Sequence, residues 1–273
     1  MASKGKSALF ARLVKQSLIP DGLGNCANVS EAFEVAFGKL RAIDCRDEYI
    51  YKAALTHKIL LGKHSLRTAS MLTEFRVGDC KADLAILNGT STAYEIKSER
   101  DSLARLSKQI GSYRKFFASV YVITGENHVA SVLAIVPEDV GVLQLSRRHQ
   151  ISTVRTAVDL PERLCPLTVL DSLRVDEALR VLSLLGMELP SAPNTLLRTE
   201  LKKSFAEIEP TALHRALVPT LKKTRDLSAL DDLVDSLPHS LRAAALSMPL
   251  RKAEHQKLLL AVNTSLEEAI YWA

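Results

Sequence analysis

Asp83-Leu84-Ala85-Ile86-Leu87-Asn88-Gly89-Thr90-Ser91-Thr92-Ala93-Tyr94-Glu95-Ile96-Lys97 holds the key to the architecture of this chain. Two strand-like runs, Ala82 to Asn88 and Ser91 to Lys97, flank Asn88-Gly89. Asn-Gly tolerates the left-handed backbone of a tight hairpin turn, so the two runs are predicted to pair antiparallel. Side chains alternate across a strand, which puts Glu95 and Lys97 on one face and Tyr94, Ile96 and Ser98 on the other. Leu84 and Ile86 are expected in the core with Asp83 facing the other way. The hairpin then brings Asp83 back towards the Glu95/Lys97 end, though the pattern alone does not set the register.

Outward from the hairpin, Ser70 to Arg76 and Ser119 to Thr124 read as further strands. Shorter ones are expected at 131–136 and 141–145, joined by the turn Pro137-Glu138-Asp139. Asp101 or Ser102 is suited to cap a helix running to about Ala118. Upstream lie a short amphipathic helix over 7–17, a loop from Gly22 to Asn28 and a helix over 31–40 with Ser30 as its N-cap. Another helix is expected over 47–62, opening with Asp47 and Glu48. From about 167 the chain reads as successive helices: 173–186, 195–206, 209–222, 226–236, 239–247 and 250–270. Gly186, Pro190, Pro193, Pro210 and Pro238 punctuate them. The prediction is an α/β domain over 1–160, a mixed sheet flanked by helices, followed by an all-α domain over 161–273.

The charge is uneven. Residues 1–160 hold 22 Lys and Arg against 16 Asp and Glu, a net +6, and residues 161–273 hold 14 against 15, a net −1. The basic half is the one with the hairpin, and positive charge attracts phosphate backbones by counterion release. The scattered cysteines Cys26, Cys45, Cys80 and Cys165 form no CxxC pair, which speaks against a zinc ribbon and for reduced thiols. No apolar run reaches 18 residues, so no membrane span is expected, and the basic, polar Met1 to Lys6 is unlike a secretory signal. A cytoplasmic protein is the expectation.

Two carboxylates and an ammonium at one end of a hairpin suit a definite chemistry. Mg²⁺ or Mn²⁺ takes oxygen ligands and keeps several waters, so Asp83 and Glu95 suffice to anchor one. Lys97 could orient or deprotonate the attacking water, or offset charge on a phosphorane-like transition state. Glu74, at the end of an upstream strand, is a third acid. Gln109 and Tyr113 lie four apart, on one face of the next helix. Tyr113 is also readable as the polar-tipped member of an apolar stripe with Leu103, Leu106, Ile110 and Phe117. Arg100, Arg105, Lys108, Arg114 and Lys115 surround that helix, where they could track a nucleic-acid backbone or form a solvated face.

The ordered set Glu74, Asp83-Leu84-Ala85-Ile86, Tyr94-Glu95-Ile96-Lys97 and Gln109-Ile110-Gly111-Ser112-Tyr113 resembles the PD-(D/E)XK nuclease superfamily. The Gln-xxx-Tyr element is similar to its RecB-type and Cas4-type exonuclease branch, and Glu95 to Tyr113 to small bacterial and phage proteins assigned to the superfamily. The resemblance covers roughly residues 30–145. It departs from the literal motif at Ala82, where many members have proline. It implies a restriction-endonuclease-like sheet flanked by helices, with Asp83, Glu95 and the Ile96 carbonyl as ligands of Mg²⁺ or Mn²⁺. Glu74 would then act through a metal-bound water, Lys97 as the catalytic lysine, and Gln109 and Tyr113 beside the site.

The leading expectation is a metal-dependent DNA nuclease, in phage–host conflict or DNA processing. Against it stands a non-enzymatic nucleic-acid- or protein-binding module on the same fold. The helical third, with no catalytic constellation, is expected to cap, to self-associate or to dock a protein partner.

Overall fold

The computed structural model describes residues 1–16 and 27–273, so Cys26 and most of the loop expected from Gly22 to Asn28 lie outside the described residues. The chain divides into two compact units: Asp47–Leu227, and a second built from both ends, Met1–Arg46 with Ser228–Ala273.

In the first unit a six-stranded mixed sheet runs in sequence order: β1 Ser70–Val77, β2 Cys80–Asn88, β3 Thr90–Lys97, β4 Ser119–Thr124, β5 Gly141–Leu145 and β6 Ile151–Arg155. β1 to β3 are antiparallel, β3 to β5 parallel, and β6 antiparallel to β5. Gly89 turns the expected hairpin with φ 70, and Leu84 pairs with Tyr94. Parallel neighbours need a crossover, and the segment 131–136 helps supply one. It is a helix, Val129–Ile135, and not the strand expected from its apolar residues. A short apolar run carries no period that separates the two states. β6 escaped the sequence reading because its central residues are exposed on both faces and show no alternation.

The second unit holds α1 (Ala8–Gln16) and α2 (Val29–Leu40). The first unit opens with α3 (Glu48–Leu55), prolonged by a π-helical stretch Thr56–Leu60 and a last turn Leu61–Lys63. It continues with α4 (Leu106–Tyr113), α5 (Val129–Ile135), α6 (Pro166–Ser172), α7 (Val175–Leu184), α8 (Asn194–Ala206) and α9 (Pro210–Thr224). The N-cap of α2 is Asn28, whose Oδ1 accepts the Glu31 N–H at 3.0 Å, and not Ser30, which lies inside the helix. Asp101 does not cap α4; its carboxylate accepts from Ser98 N–H and Oγ–H.

The expected boundary at 160 is not where the chain divides. Val169, Leu170, Val181, Leu201, Phe205, Leu213 and Leu217 of α6 to α9 share one apolar cluster with Leu72, Ala85, Ala93, Val120 and Val142 of the sheet. Helices that are amphipathic and near neutral overall complete this core, and so do not stand apart as a domain. Only the last helices fall elsewhere: α10 (Asp231–Ser236), α11 (His239–Ser247), α12 (Lys252–Asn263) and α13 (Leu266–Ala269) join α1 and α2. There Glu34 accepts the Ser240 N–H at 2.7 Å, and Phe10 packs on Phe33 and Trp272.

Gly141 is required by close approach. A Cβ there would sit 2.2 Å from Tyr121 Cε1 and 2.7 Å from Ala157 N. Tyr121 cannot yield freely, because it stacks on Tyr94 at 5.6 Å. Gly141→Ala is expected to destabilise by about 1–3 kcal/mol, the usual cost of overpacking. Thermal melts should show the loss, with part recovered in Gly141→Ala/Tyr121→Ala.

Candidate active site

The site forms where β1, β2 and β3 depart from regular pairing. The β1–β2 ladder joins Thr73 to Leu84 and Phe75 to Ala82, omitting Glu74 opposite Asp83. Leu72 and Phe75 both enter the apolar cluster, as do Ala82 and Ala85. A strictly alternating strand cannot send residues three apart to one face. Both strands therefore change phase at Glu74 and Asp83, and Glu74 has φ 52, a left-handed backbone costly for any residue with a Cβ. Beyond Leu84/Tyr94 the β2–β3 ladder stops, and the Asp83 carboxylate accepts the Ile96 N–H at 2.7 Å.

Glu95 and Lys97 lie on the face that also presents Ala93 to the main cluster, beneath α4. Both are almost wholly buried, at 1% and 6% exposure. Lys97 Nζ donates to Glu95 Oε1 at 2.6 Å and to Gln109 Oε1 at 3.0 Å. The Tyr113 hydroxyl is 2.8 Å from Glu95 Oε2 and 2.5 Å from the Lys81 carbonyl, and its one proton can serve either. The structure thus joins Asp83, Glu95, Lys97, Gln109 and Tyr113 in one network. Tyr113 is both a core member and a site residue. Ile96, whose carbonyl was expected as a ligand, pairs with Ile123 of β4.

Burial pushes the Asp83 carboxyl up to about 8, helped by the Glu95 and Glu48 charges and opposed by the Ile96 N–H and Lys97. Glu95 is also raised by burial, against the pull of Lys97 and hydrogen bonds from Lys97, Tyr113 and Gln109. Burial raises Glu95 on its own, whereas around Asp83 an excess of negative charge adds to burial.

A second cluster explains part of that excess. Carboxylate oxygens of Glu48, Glu74 and Asp83 lie within 4.8 Å of one another. Glu74 thus does reach the site, alongside Glu48, expected from the sequence only to open a helix. Glu95 is turned towards Lys97 and Tyr113, so the three-acid cluster pairs Asp83 with Glu48 and Glu74. Lys52, one turn along α3, is 2.9 Å from Glu48 and 3.7 Å from Glu74.

The cations expected around α4 are not equivalent. Arg100, Arg105, Lys108 and Lys115 are exposed. Arg114 is instead engaged with Asp139, at 2.8 and 3.1 Å, in a group completed by Arg163. It holds α4 to the turn before β5 and does not fit the expected backbone-tracking role.

The model of the family described as bacteriophage P4 protein cII matches residues 41–246, three quarters of the chain. The chain belongs to the bacteriophage P4 protein cII family. A relative named Protein cII, from Enterobacteria phage P4, is 34% identical over 108 residues. That match spans 39% of this chain and 40% of the relative. No solved structure matches. The cII-family segment takes in every residue of the network, from Glu48 to Tyr113.

Within this cII-family site, Glu74 allows backbone and ligand roles to be separated. Glu74→Ala and Glu74→Gly both remove the carboxylate from the cluster with Glu48 and Asp83 and differ only in the backbone they allow. Glu74→Gly should be the more stable of the two by about 1 kcal/mol, because only glycine relieves the left-handed strain. Equal melting temperatures for the two variants would remove the strain argument.

Proposed function

We propose that this chain is a Mg²⁺- or Mn²⁺-dependent nuclease that hydrolyses phosphodiester bonds in DNA. The observation that carries this reading is the meeting of Asp83, Glu95, Lys97, Gln109 and Tyr113, from two strands and one helix, beside the acids Glu48 and Glu74. Four carboxylates stand against the ammoniums of Lys52 and Lys97, leaving a negative excess that a divalent cation would offset. The donors are all oxygens, the set that Mg²⁺ and Mn²⁺ prefer. Glu48, Glu74 and Asp83 would hold such an ion. When bound, it would lower the pKa of a water and offset charge on the scissile phosphate. Glu95 and Gln109 fix the Lys97 ammonium, which can then orient the attacking water or donate to a phosphate oxygen. Tyr113 holds Glu95 in place. The order of these residues is that of the PD-(D/E)XK resemblance.

Exposed Arg100, Arg105, Lys108 and Lys115 suit contact with the substrate backbone. Among the described residues no helix is long and apolar enough to cross a membrane. The test is a cleavage assay on single-stranded, duplex and branched DNA with Mn²⁺, Mg²⁺ or EDTA. Product is expected with either metal and none in EDTA; intact DNA in every arm would end the nuclease reading.

A second reading, a binding module without catalysis, is favoured by one observation. Lys52 already neutralises Glu48 and lies near Glu74. A pure binder would hold DNA in EDTA as tightly as in Mn²⁺ and never cut it.

A further inference from the structure

A second cationic feature lies at the other end of the β2–β3 hairpin. Arg215, Val218, Pro219 and Lys222 fall on one face of α9, by their spacing of three, four and seven residues. With Lys223 and the turn residue Gly89 they line an open groove of about 570 Å³. Its remaining lining residues are Arg67, Asp226 and His214, so its formal charge is strongly positive. Arg215, Lys222 and Lys223 form none of the ion pairs found among the described residues.

The groove wall is firmly placed. His214 is buried and accepts the Ser91 N–H at 3.3 Å, with Ser91 Oγ at 3.1 Å. This ties α9 to the first residues of β3. Pro219, inside the helix, has no N–H to give the Arg215 carbonyl, so an acceptor is left on the same stretch of helix.

We infer that this groove binds the phosphate backbone of a nucleic acid, as a contact region separate from the acidic site. Three considerations favour a strand over a small anion. The groove is open to solvent. The cations of α9 lie in a row spanning two helical turns and do not converge on one point. β3 runs between the groove and Glu95/Lys97, roughly 20–25 Å at about 3.3 Å per residue. One strand touching both would cover about six to eight nucleotides at about 3.4 Å each. A structural role is open to Lys222 and Lys223, which occupy the last turn of α9 and complement its dipole. Arg215, two turns earlier, has no such task. The inference does not depend on cleavage.

The test is fluorescence anisotropy in EDTA with a labelled DNA duplex two helical turns long, across a salt series. Arg215→Ala/Lys222→Ala/Lys223→Ala is expected to weaken binding about tenfold or more near physiological salt. It should also lower the slope of log affinity against log salt by about 2–3, since each phosphate contact contributes about 0.9. Lys222→Arg/Lys223→Arg should bind like the parent, which controls for folding. Cleavage with Mn²⁺ is read separately from binding in EDTA, so failure of the groove and failure of the acidic site give different results. An unchanged slope in the triple variant, with its melting temperature intact, overturns the inference. So does ATP bound through the same three residues with no effect on duplex affinity, since that would make the groove a small-nucleotide site.

Discussion

Lys97→Ala is expected to lower metal-dependent cleavage by about 10²–10³-fold, the range for loss of a positioned donor that stabilises transition-state charge. The side chain does two jobs that the variant separates. Its ammonium is held at 2.6 Å from Glu95 and 3.0 Å from Gln109, so the reacting position is fixed in advance. It also compensates a carboxylate with only 1% exposure. Breaking a buried pair by deleting one partner costs about 3–5 kcal/mol when the other stays ionised. Glu95 has an escape, because burial already raises its pKa and loss of Lys97 would raise it further. A carboxyl raised in the folded state contributes stability at low pH that is lost as pH rises through its folded pKa. The melting-temperature gap between Lys97→Ala and the parent should therefore widen as pH rises. Lys97→Arg should close most of that gap yet stay poorly active, since a planar fork does not replace a compact ammonium. Parental single-turnover rates in Lys97→Ala would remove Lys97 from the reaction. A gap that ignores pH would remove the pairing argument.

What could be read in advance follows from which forces are local. The hairpin was legible because Asn88-Gly89 meets a local backbone demand and the runs on either side alternate. Glu95, Lys97, Gln109 and Tyr113 were legible because strand and helix periods fix which face each occupies. Glu48 was not, since its approach to Asp83 depends on how α3 packs, and nothing in its own neighbours records that. The phase change at Glu74 and Asp83 was equally hidden. It is a joint property of two strands, and the sequence there carries no glycine to announce it. Arg114 looked like its exposed neighbours, and only the fold brings Asp139 to it. The helical stretch after 166 is legible as helical, but its division between the two units is not, because amphipathicity states that a face is covered without stating by what.

Asp83 makes the metal-free protein sensitive to pH over a defined window, and this is the prediction with the widest consequences. Burial, then the Glu95 charge, raise its carboxyl to about 8 from an ordinary value of 3.8. Between those values the folded chain holds a proton that the unfolded chain has lost. Stability from this group is fully present below about pH 4 and drains as pH rises to about 8, on the order of 5 kcal/mol at most. Glu177 acts in the opposite sense. Burial works to raise it but is outweighed by Arg225 and the Arg174 N–H, so its net pKa is lowered and its contribution is lost only in acid. Glu95, also raised by burial, acts in the same sense as Asp83, while His214, lowered by burial, works the other way at the acid end. In EDTA the melting temperature is expected to fall as pH rises towards about 8, and Asp83→Asn should flatten the fall. A divalent cation binds the ionised carboxylate, so Mn²⁺ should raise the melting temperature little near pH 5 and strongly near pH 8. At about 100 times its dissociation constant the gain is about 2.7 kcal/mol. Asp83→Asn should lose that gain, whereas an Arg215→Ala/Lys222→Ala/Lys223→Ala variant should keep it. A pH-independent melting temperature in EDTA would contradict the burial of an ionisable Asp83. A Mn²⁺ effect that survives in Asp83→Asn would move the ion away from the Glu48, Glu74 and Asp83 cluster.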